Sequence, residues 1–361
     1  MTNKEKKSSK ARNRRSEEEQ KAKHWAREWF DAFIFAAIAA IIIRSFFFGA
    51  YRIPTPSMEN TLLTGDFLLV SKLAYGPRTP MTVAIPFTDI YMPGVDVPWT
   101  RLPGFMDIER NDIVVFNYPI DSGPVSMKTN YIKRAVGMPG DEIEIRDKQL
   151  YVNGDPEEGA ETIMKHHRVD VRNRIRLSPA RIAEAGGRLV QSPQGETNAY
   201  IINMTESTAQ SIADWSEVEQ VEPFVLPPDF PEFSRRNFTF SSGFMNRDHF
   251  QPFTVPYSGQ EVTLTDENWH IYRNIIERYE GNTVRQEDEA FFINGEETNR
   301  YTIQMDYFFM MGDNRDDSED SRYWGFVPED HVVGKASIIY FSWNSERWLP
   351  RFERIMNRIH R

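Results

Sequence analysis

The chain has 361 residues, enough for two ordinary domains or for one domain carrying a large insertion. It holds 53 acidic and 43 basic residues, a formal net charge of −10 that argues against nucleic acid as a partner. There is no cysteine, so disulfides, thiolate catalysis and cysteine-ligated zinc are excluded together.

Basic residues nevertheless gather at the N-terminus in KEKKSSKARNRR, part of a charged leader over residues 1–31 that ends on the aromatic shoulder Trp25, Trp29 and Phe30. The run AFIFAAIAAIII at 32–43 is too short to cross a bilayer alone. Extended to residues 32–51 it gives about 20 positions, which at roughly 1.5 Å each span the ~30 Å hydrocarbon layer. Arg44 within it costs up to about 3 kcal/mol at mid-bilayer and less off-centre. A cleaved signal peptide is disfavoured, because the nearest small-residue site, FGA, places Phe48 where a small side chain belongs. The preceding Lys/Arg cluster favours a signal anchor with a cytoplasmic N-terminus over a buried core helix.

Residues 52–154 carry short extended signals, among them GDFLLVSKLAYG, RNDIVVFNYP and NYIKRAVGMPGDEIEIRDKQLYVNG, punctuated by Pro-Gly and Asn-Gly. These predict strands and hairpins. The proline-rich stretch 77–105 predicts an irregular surface excursion. Between 155 and 290 the texture is mixed: SPARIAEAGG at 178–187 and TDENWHIYRNIIERYEG at 265–281 carry helix start and stop signals, with strand-like pieces between them. Strand patterning resumes over 291–344, where FING echoes YVNG at 151–154. The pattern predicts a mainly β fold, an antiparallel β core split by an inserted α+β domain. In the tail, Trp348, Leu349, Phe352, Ile355, Met356 and Ile359 recur at helical spacing, with Arg347, Arg351, Arg354 and Arg358 beside or opposite them. This predicts an amphipathic helix over 345–361, packed on the core or resting on the membrane surface with its arginines at lipid phosphates.

Two stretches carry the chemistry: IPTPSMENTL at 53–62 and GDNRDDSEDSRYWG at 312–325. A serine such as Ser57 needs a base to become a nucleophile. None of the seven histidines shares a motif with it, and there is neither G-x-S-x-G nor H-E-x-x-H. His331 in PEDHVVGKA reads as a structural residue. The second stretch fails as a calcium loop, with Arg315 or Ser321 at positions that need a ligand or glycine. Lysine remains: desolvation can lower its pKa of about 10.4 by several units. Lys133 lies on a strand-like segment, with Arg134 expected on the opposite face, so that one of the two cations faces inward.

At this point the residues resemble the bacterial type I signal peptidases, membrane-anchored serine proteases with a Ser/Lys dyad. The resemblance covers the anchor and then RIPTPSM, GDFLLVSKLAYG, RNDIVVFNYP, YIKRAVGMPGD and MGDNRDDSEDSRYWGFVPEDHVVGKA, in the family's order. It implies Ser57 as nucleophile, Lys133 as general base, Ser318 as the hydroxyl orienting the lysine amine, and Asp320 with Arg322 as a supporting salt bridge. It further implies an oxyanion hole of the Ser57 N–H and the Thr55 hydroxyl, and shallow pockets lined by Tyr51, Ile53, Pro54, Met58, Leu62, Tyr131 and Ile132. Such pockets suit small side chains, hence substrates with Ala-x-Ala before the cut. The implied partners are exported preproteins delivered by the secretion machinery, and membrane phospholipids. The implied chemistry uses no metal and no cofactor.

The implied place is the bacterial inner membrane, spanned once, with the catalytic domain on its outer side. The sequence departs from the family pattern at Asn60, where proline is usual, in having one anchor rather than two, and in the long 155–290 segment, onto which no functional residue carries over. The rivals are a Ser/Lys self-cleaving repressor-type peptidase, against which the anchor and the full second stretch argue, and an inactive membrane-anchored signal-sequence-binding protein, against which Ser57, Lys133 and Ser318 together argue.

Overall fold

The computed structural model describes residues 24–360 except 26, 85–87, 89, 173–174, 194–197, 234–237 and 289. Most of the basic leader expected over 1–31 therefore lies outside the described residues. Helix α1, Arg27–Phe47, has 21 residues and a mean hydropathy of 2.0, with its most apolar window unburied. At about 1.5 Å per residue it is long enough for the hydrocarbon layer. The span thus sits nearer the N-terminus than the expected 32–51. From Phe48 the backbone leaves the helix and becomes β1 (Phe48–Arg52), paired in unbroken register from Phe48 opposite Ser71 to Arg52 opposite Phe67. The aromatic run at 46–48 suits helix and strand equally by hydropathy, and the ladder offered by the next strand decides between them.

The strands that follow are β2 (Asp66–Ser71), the hairpin β3 (Thr82–Ala84) and β4 (Tyr91–Asp96), then β5 (Ile113–Asn117), β6 (Asn130–Gly137), β7 (Glu142–Arg146), β8 (Gln149–Val152) and β9 (Asp155–Pro156). The stretch 77–105, expected to be irregular throughout, contains the β3–β4 hairpin. Then come β10 (Lys165–Val171), α2 (Pro179–Glu184), β11 (Arg188–Gln191), β12 (Ala199–Met204), α3 (Glu206–Ala213) and β13 (Val218–Pro223). The rest is β14 (Phe250–Thr254), β15 (Glu261–Thr263), α4 (Trp269–Asn274), β16 (Val284–Glu287), β17 (Ala290–Ile293), β18 (Glu296–Glu297), β19 (Arg300–Thr302), β20 (Tyr307–Met311), α5 (Ser321–Trp324), β21 (Val327–Pro328), β22 (Val332–Asn344), β23 (Leu349–Pro350) and β24 (Asn357–Arg358).

The main antiparallel sheet runs β1-β2-β22-β5-β6-β20-β21, with β23 and β24 on β22. β2 alternates buried and half-buried positions, whereas β5 and β20 are buried at every position, so both faces of the sheet are covered there. A second sheet, β14-β7-β8-β9, packs through Ile143, Ile145, Phe250 and Phe253 into the same core as Phe309 and Trp324. Both Asn-Gly hairpins form as their sequence predicts. Asn153 and Gly154 turn with φ of 55° and 84°, Asn294 and Gly295 with 52° and 86°, the left-handed pair that a two-residue turn requires.

The 155–290 stretch divides in two. Residues from β10 to β13 build a sheet of order β11-β12-β10-β13 with its own core of Val169, Ile182, Ile202, Met204 and Ile212. Strand and helix alternate there as a split βαβ pair. The later residues Phe233, Phe240, Phe253, Tyr272 and Ile275 instead enter the main core. Sequence texture showed where regular patterning changed, but not which core each phenylalanine would join.

The tail is not the expected helix over 345–361. β23 and β24 pair with β22, and Trp348 and Met356 take left-handed φ values of 54° and 64° that break a helix. Two of its arginines act as internal staples. Arg354 Nη2 donates to Asp66 Oδ2 at 2.6 Å and to the Thr61 carbonyl at 3.0 Å, and Arg351 Nη1 donates to the Trp343 carbonyl at 2.9 Å. Asp66 is fully buried and also accepts from Ser342 and the Leu63 N–H. Replacing Arg354 by methionine would strand that carboxylate, so the variant should lose about 2–4 kcal/mol of stability. Denaturant unfolding checks this, as a lower midpoint at unchanged m-value. A wild-type midpoint would show that the tail is dispensable to the core.

Candidate active site

Ser57 sits on a one-turn 3₁₀ segment, Pro56–Met58, that follows β1. Prolines 54 and 56 restrict the backbone on either side. Met58 is fully buried and anchors the turn in a cluster with Ile53, Leu62, Leu68 and Val70. From the other side the 312–318 segment staples it: Asn314 N donates to the Ser57 carbonyl at 3.1 Å, and Asn314 Nδ2 to the Pro56 carbonyl at 3.0 Å. Asn60, in place of the family's usual proline, has φ of 75°, a conformation the proline ring cannot adopt. Its side chain donates to the Thr162 carbonyl at 3.1 Å.

Lys133 lies on β6 opposite Val114 of β5 and is 3 % exposed. Its Nζ is 2.7 Å from Ser57 Oγ. Burial pushes the amine down to about 8, against the pull of Asp320, Asp313 and Glu319 and with the help of Arg322. Among the described residues, Lys133 has no ion-pair partner. Arg134 points to the opposite face, as alternation requires, yet it too is fully buried. It is held by Asp313 through Nε to Oδ1 at 2.7 Å and Nη2 to Oδ2 at 2.6 Å. The expectation that one of the two cations faces inward was too narrow, because both sheet faces are covered at this point.

Asp320 and Arg322 form a bidentate pair, Nε to Oδ1 and Nη2 to Oδ2 both at 2.9 Å, and both are buried. Asp320 also accepts from Gly312 N at 3.0 Å, and as N-cap of α5 from Arg322 N at 3.2 Å. Ser318 is 5 % exposed, and its hydroxyl has no hydrogen-bond partner among the described residues, so no bond from it to the lysine amine is formed. It stands beside the dyad: a Cβ on Gly312 would collide with both Ser318 Oγ and the Ser57 carbonyl. Thr55 Oγ1 lies 3.4 Å from Ser57 Oγ, on an exposed residue.

The residues assigned to substrate pockets fall into two groups. Ile53, Met58 and Leu62 are buried in the cluster beneath Ser57, with Tyr51 and Ile132 half-buried against it. Tyr131 belongs to the neighbouring core, its ring 5.6 Å from Lys133 Nζ and 4.3 Å from the Tyr118 ring, and Pro54 is exposed. Met58 and Leu62 thus form a floor rather than an open wall. His331 is buried away from Ser57, bonded to Lys128 at 2.9 Å and Asp330 at 2.5 Å, and burial lowers its pKa.

Sequence reasoning missed three supports: the Arg134–Asp313 pair, the Asn314 staple, and Asp316. Asp316 is held by Lys148 Nζ at 2.6 Å and Arg247 Nε at 3.2 Å, and well below the usual carboxylate range by those cations and His166. The one available signal was the density of charge at 313–322. Several partners lie over 60 residues away, and no spacing rule reaches them.

The arrangement can deliver a hydroxyl to a carbonyl carbon with an amine ready to take its proton. The family described as signal peptidase, peptidase S26, matches residues 26–227 and 250–343. Signal peptidase I of Pseudomonas aeruginosa is 27 % identical over 341 residues, covering 91 % of this chain and 78 % of its own. That of Buchnera aphidicola from Acyrthosiphon pisum is 27 % identical over 317 residues, covering 86 % and 74 %. A solved signal peptidase I from Enterococcus faecalis V583 is 19 % identical, covering 64 % of this chain and 97 % of its own, with a TM-score of 0.22. With matched segments that take in the anchor, the Ser57 turn, Lys133 and the 312–325 block, the chain belongs to the signal peptidase, peptidase S26, family.

Proposed function

We infer that this chain is a membrane-held serine endopeptidase that removes N-terminal signal peptides from exported preproteins, cutting after small-x-small sites such as Ala-x-Ala. The observation that carries the reading is the 2.7 Å contact between Ser57 Oγ and a buried Lys133 amine that has no ion-pair partner among the described residues. Neutral Lys133 takes the Ser57 proton as Oγ attacks the scissile carbonyl carbon. The tetrahedral oxyanion is held by the Ser57 N–H and the Thr55 hydroxyl. The lysine then returns the proton to the leaving amine as the acyl-enzyme forms, and water, activated by the same amine, releases the signal peptide. Ser318, next to Ser57 and with no hydroxyl partner among the described residues, can receive the amine as it moves. Asp320 and Arg322 fix the loop that carries it.

The basic leader before α1 supports a cytoplasmic N-terminus and a catalytic domain on the outer side of the inner membrane. Exposed Met92, Phe105, Trp348 and Phe352 support membrane phospholipids as partners of the catalytic domain.

Ser57→Ala and Lys133→Met should each reduce preprotein cleavage by a factor on the order of 10⁴ or more. Lys133→Arg should fail as well, since a guanidinium stays protonated. The folded pKa of Lys133, about 8, lies below the 10.5 of a free lysine, so the unfolded chain binds more protons between those values. Burial of the lysine therefore costs stability below pH 8, and that cost fades as pH rises toward 10.5. Lys133→Met should accordingly be at least as stable as the wild type at pH 7, and a strongly destabilised variant would contradict the assigned burial.

In the wild type kcat/KM should fall on the acid side with a midpoint near pH 8, where the free amine takes up its proton. A limb near pH 6.5, or none, would point to another base.

Protease added outside spheroplasts should digest the catalytic domain and spare a short N-terminal fragment. A protected catalytic domain would reverse the orientation.

A further inference from the structure

We propose that Thr162 is a positioning residue for the nucleophile: from the segment leading into the inserted sheet, it fixes the turn after Ser57 through Asn60 and Thr61. The inference rests on the reading of Ser57 and Lys133 as nucleophile and base.

Three contacts define the clamp. Asn60 Nδ2 donates to the Thr162 carbonyl at 3.1 Å, the Thr61 and Thr162 hydroxyls are 2.6 Å apart, and the Thr61 hydroxyl donates to Asp313 Oδ2 at 2.5 Å. Direction follows from proton count. Asp313, paired with Arg134, is an acceptor only, so the single hydroxyl proton of Thr61 is committed to it. The contact between the two hydroxyls must then be donated by Thr162. The result is a polarised chain from Thr162 through Thr61 to Asp313, which Arg134 holds from the other side. Arg134 is the neighbour of Lys133 on β6. One chain of bonds therefore grips the turn that carries Ser57 and the strand that carries its base.

Thr162 is itself held firmly. Ile163 N donates to the Ala160 carbonyl at 3.0 Å, Met164 N to the Asp313 carbonyl at 2.8 Å, and Arg315 N to the Met164 carbonyl at 2.9 Å. The hydroxyl of Thr162 is thus presented by backbone already laced to the 312–318 segment. The Ser57 turn needs such support. It is one 3₁₀ turn with Thr55, Pro56 and Asn60 exposed, and Asn60 sits in the left-handed region, which asparagine tolerates better than most residues but still at some cost. A displacement of about 1 Å at a reacting atom can cost 10²-fold in rate.

Thr162→Val keeps the shape and removes the hydroxyl. In the full-length enzyme in detergent, with a purified preprotein, it should lower kcat about tenfold, leave KM within about twofold, and leave the unfolding midpoint unchanged. Thr162→Ser should return kcat to within about twofold of wild type, since it restores the donor. Wild-type kcat in Thr162→Val, a loss confined to KM, or a loss that serine does not restore would each overturn the positioning role. Ser57→Ala assayed alongside separates the two readings. If Ser57→Ala still cleaves, the nucleophile is misassigned and the clamp falls with it. If Ser57→Ala is inactive while Thr162→Val is fully active, the nucleophile stands and only the role of Thr162 is lost.

Discussion

A lysine can act as a base near neutral pH only where its ammonium form is made unfavourable, and the surroundings of Lys133 meet that condition. Burial lowers the amine to about 8, and the nearest acids would undo this if they turned toward it. They are occupied instead. Asp320 is taken bidentately by Arg322, and Asp313 bidentately by Arg134. Each carboxylate pulls on Lys133 from a distance without pairing with it. The arginines therefore do more than brace a loop: they satisfy two buried carboxylates and hold them in pairs of their own. Among the described residues, Lys133 keeps the Ser57 hydroxyl as its close polar contact.

The same constraint explains how the anchor is joined to the site. A nucleophile that meets substrates still held in a bilayer must stand at a fixed height above it, and a flexible tether would not set that height. Here the helix passes directly into β1, and its end is tied to the catalytic sheet. Lys72 N donates to the Phe47 carbonyl at 2.9 Å, and Lys72 Nζ to the Ser45 carbonyl at 3.3 Å. β1 then pairs with β2 over all five of its residues before the chain turns at Ser57. The orientation of the span is thereby transmitted to the Ser57 turn through backbone hydrogen bonds.

What the sequence could show follows from the range of the forces involved. Short-range signals were legible: the Asn-Gly turns, the proline start and glycine stop of α2, the alternation of β2 and the apolar span all depend on residues within a few positions of each other, although Ser178 makes no side-chain capping bond to α2. The chemistry of Ser57 and Lys133 could be approached from residue type, but their 2.7 Å contact joins positions 76 apart, and only the five ordered blocks pointed to it. The tail misled because helical spacing was real while its arginines had uses that spacing cannot show. Arg354 reaches Asp66 across 288 positions, and that buried carboxylate, with the ladder to β22, outweighs an amphipathic pattern of 17 residues. Asn60 is the converse case. It marks a departure from the family's usual proline, and its left-handed φ and its bond to Thr162 show a turn of another kind, held by other means.

The inserted sheet shows how such a site accommodates extra chain. β9, where the chain departs toward the insert, and β14, where it returns to the core, belong to one four-stranded sheet with β7 and β8 between them. The ends of the excursion are therefore held by the core itself, and closing even a long loop between fixed ends adds little entropy cost, about 0.6 kcal/mol per doubling of length. The β10–β13 unit then supplies its own apolar core, so it draws nothing from the packing around Lys133. Its approach is not neutral, however. The chain must pass the Ser57 turn to reach β10, and there Thr162 and Met164 bond to Thr61, Asn60 and the 312–318 segment. An insertion whose ends are already fixed is thereby part of what fixes the Ser57 turn.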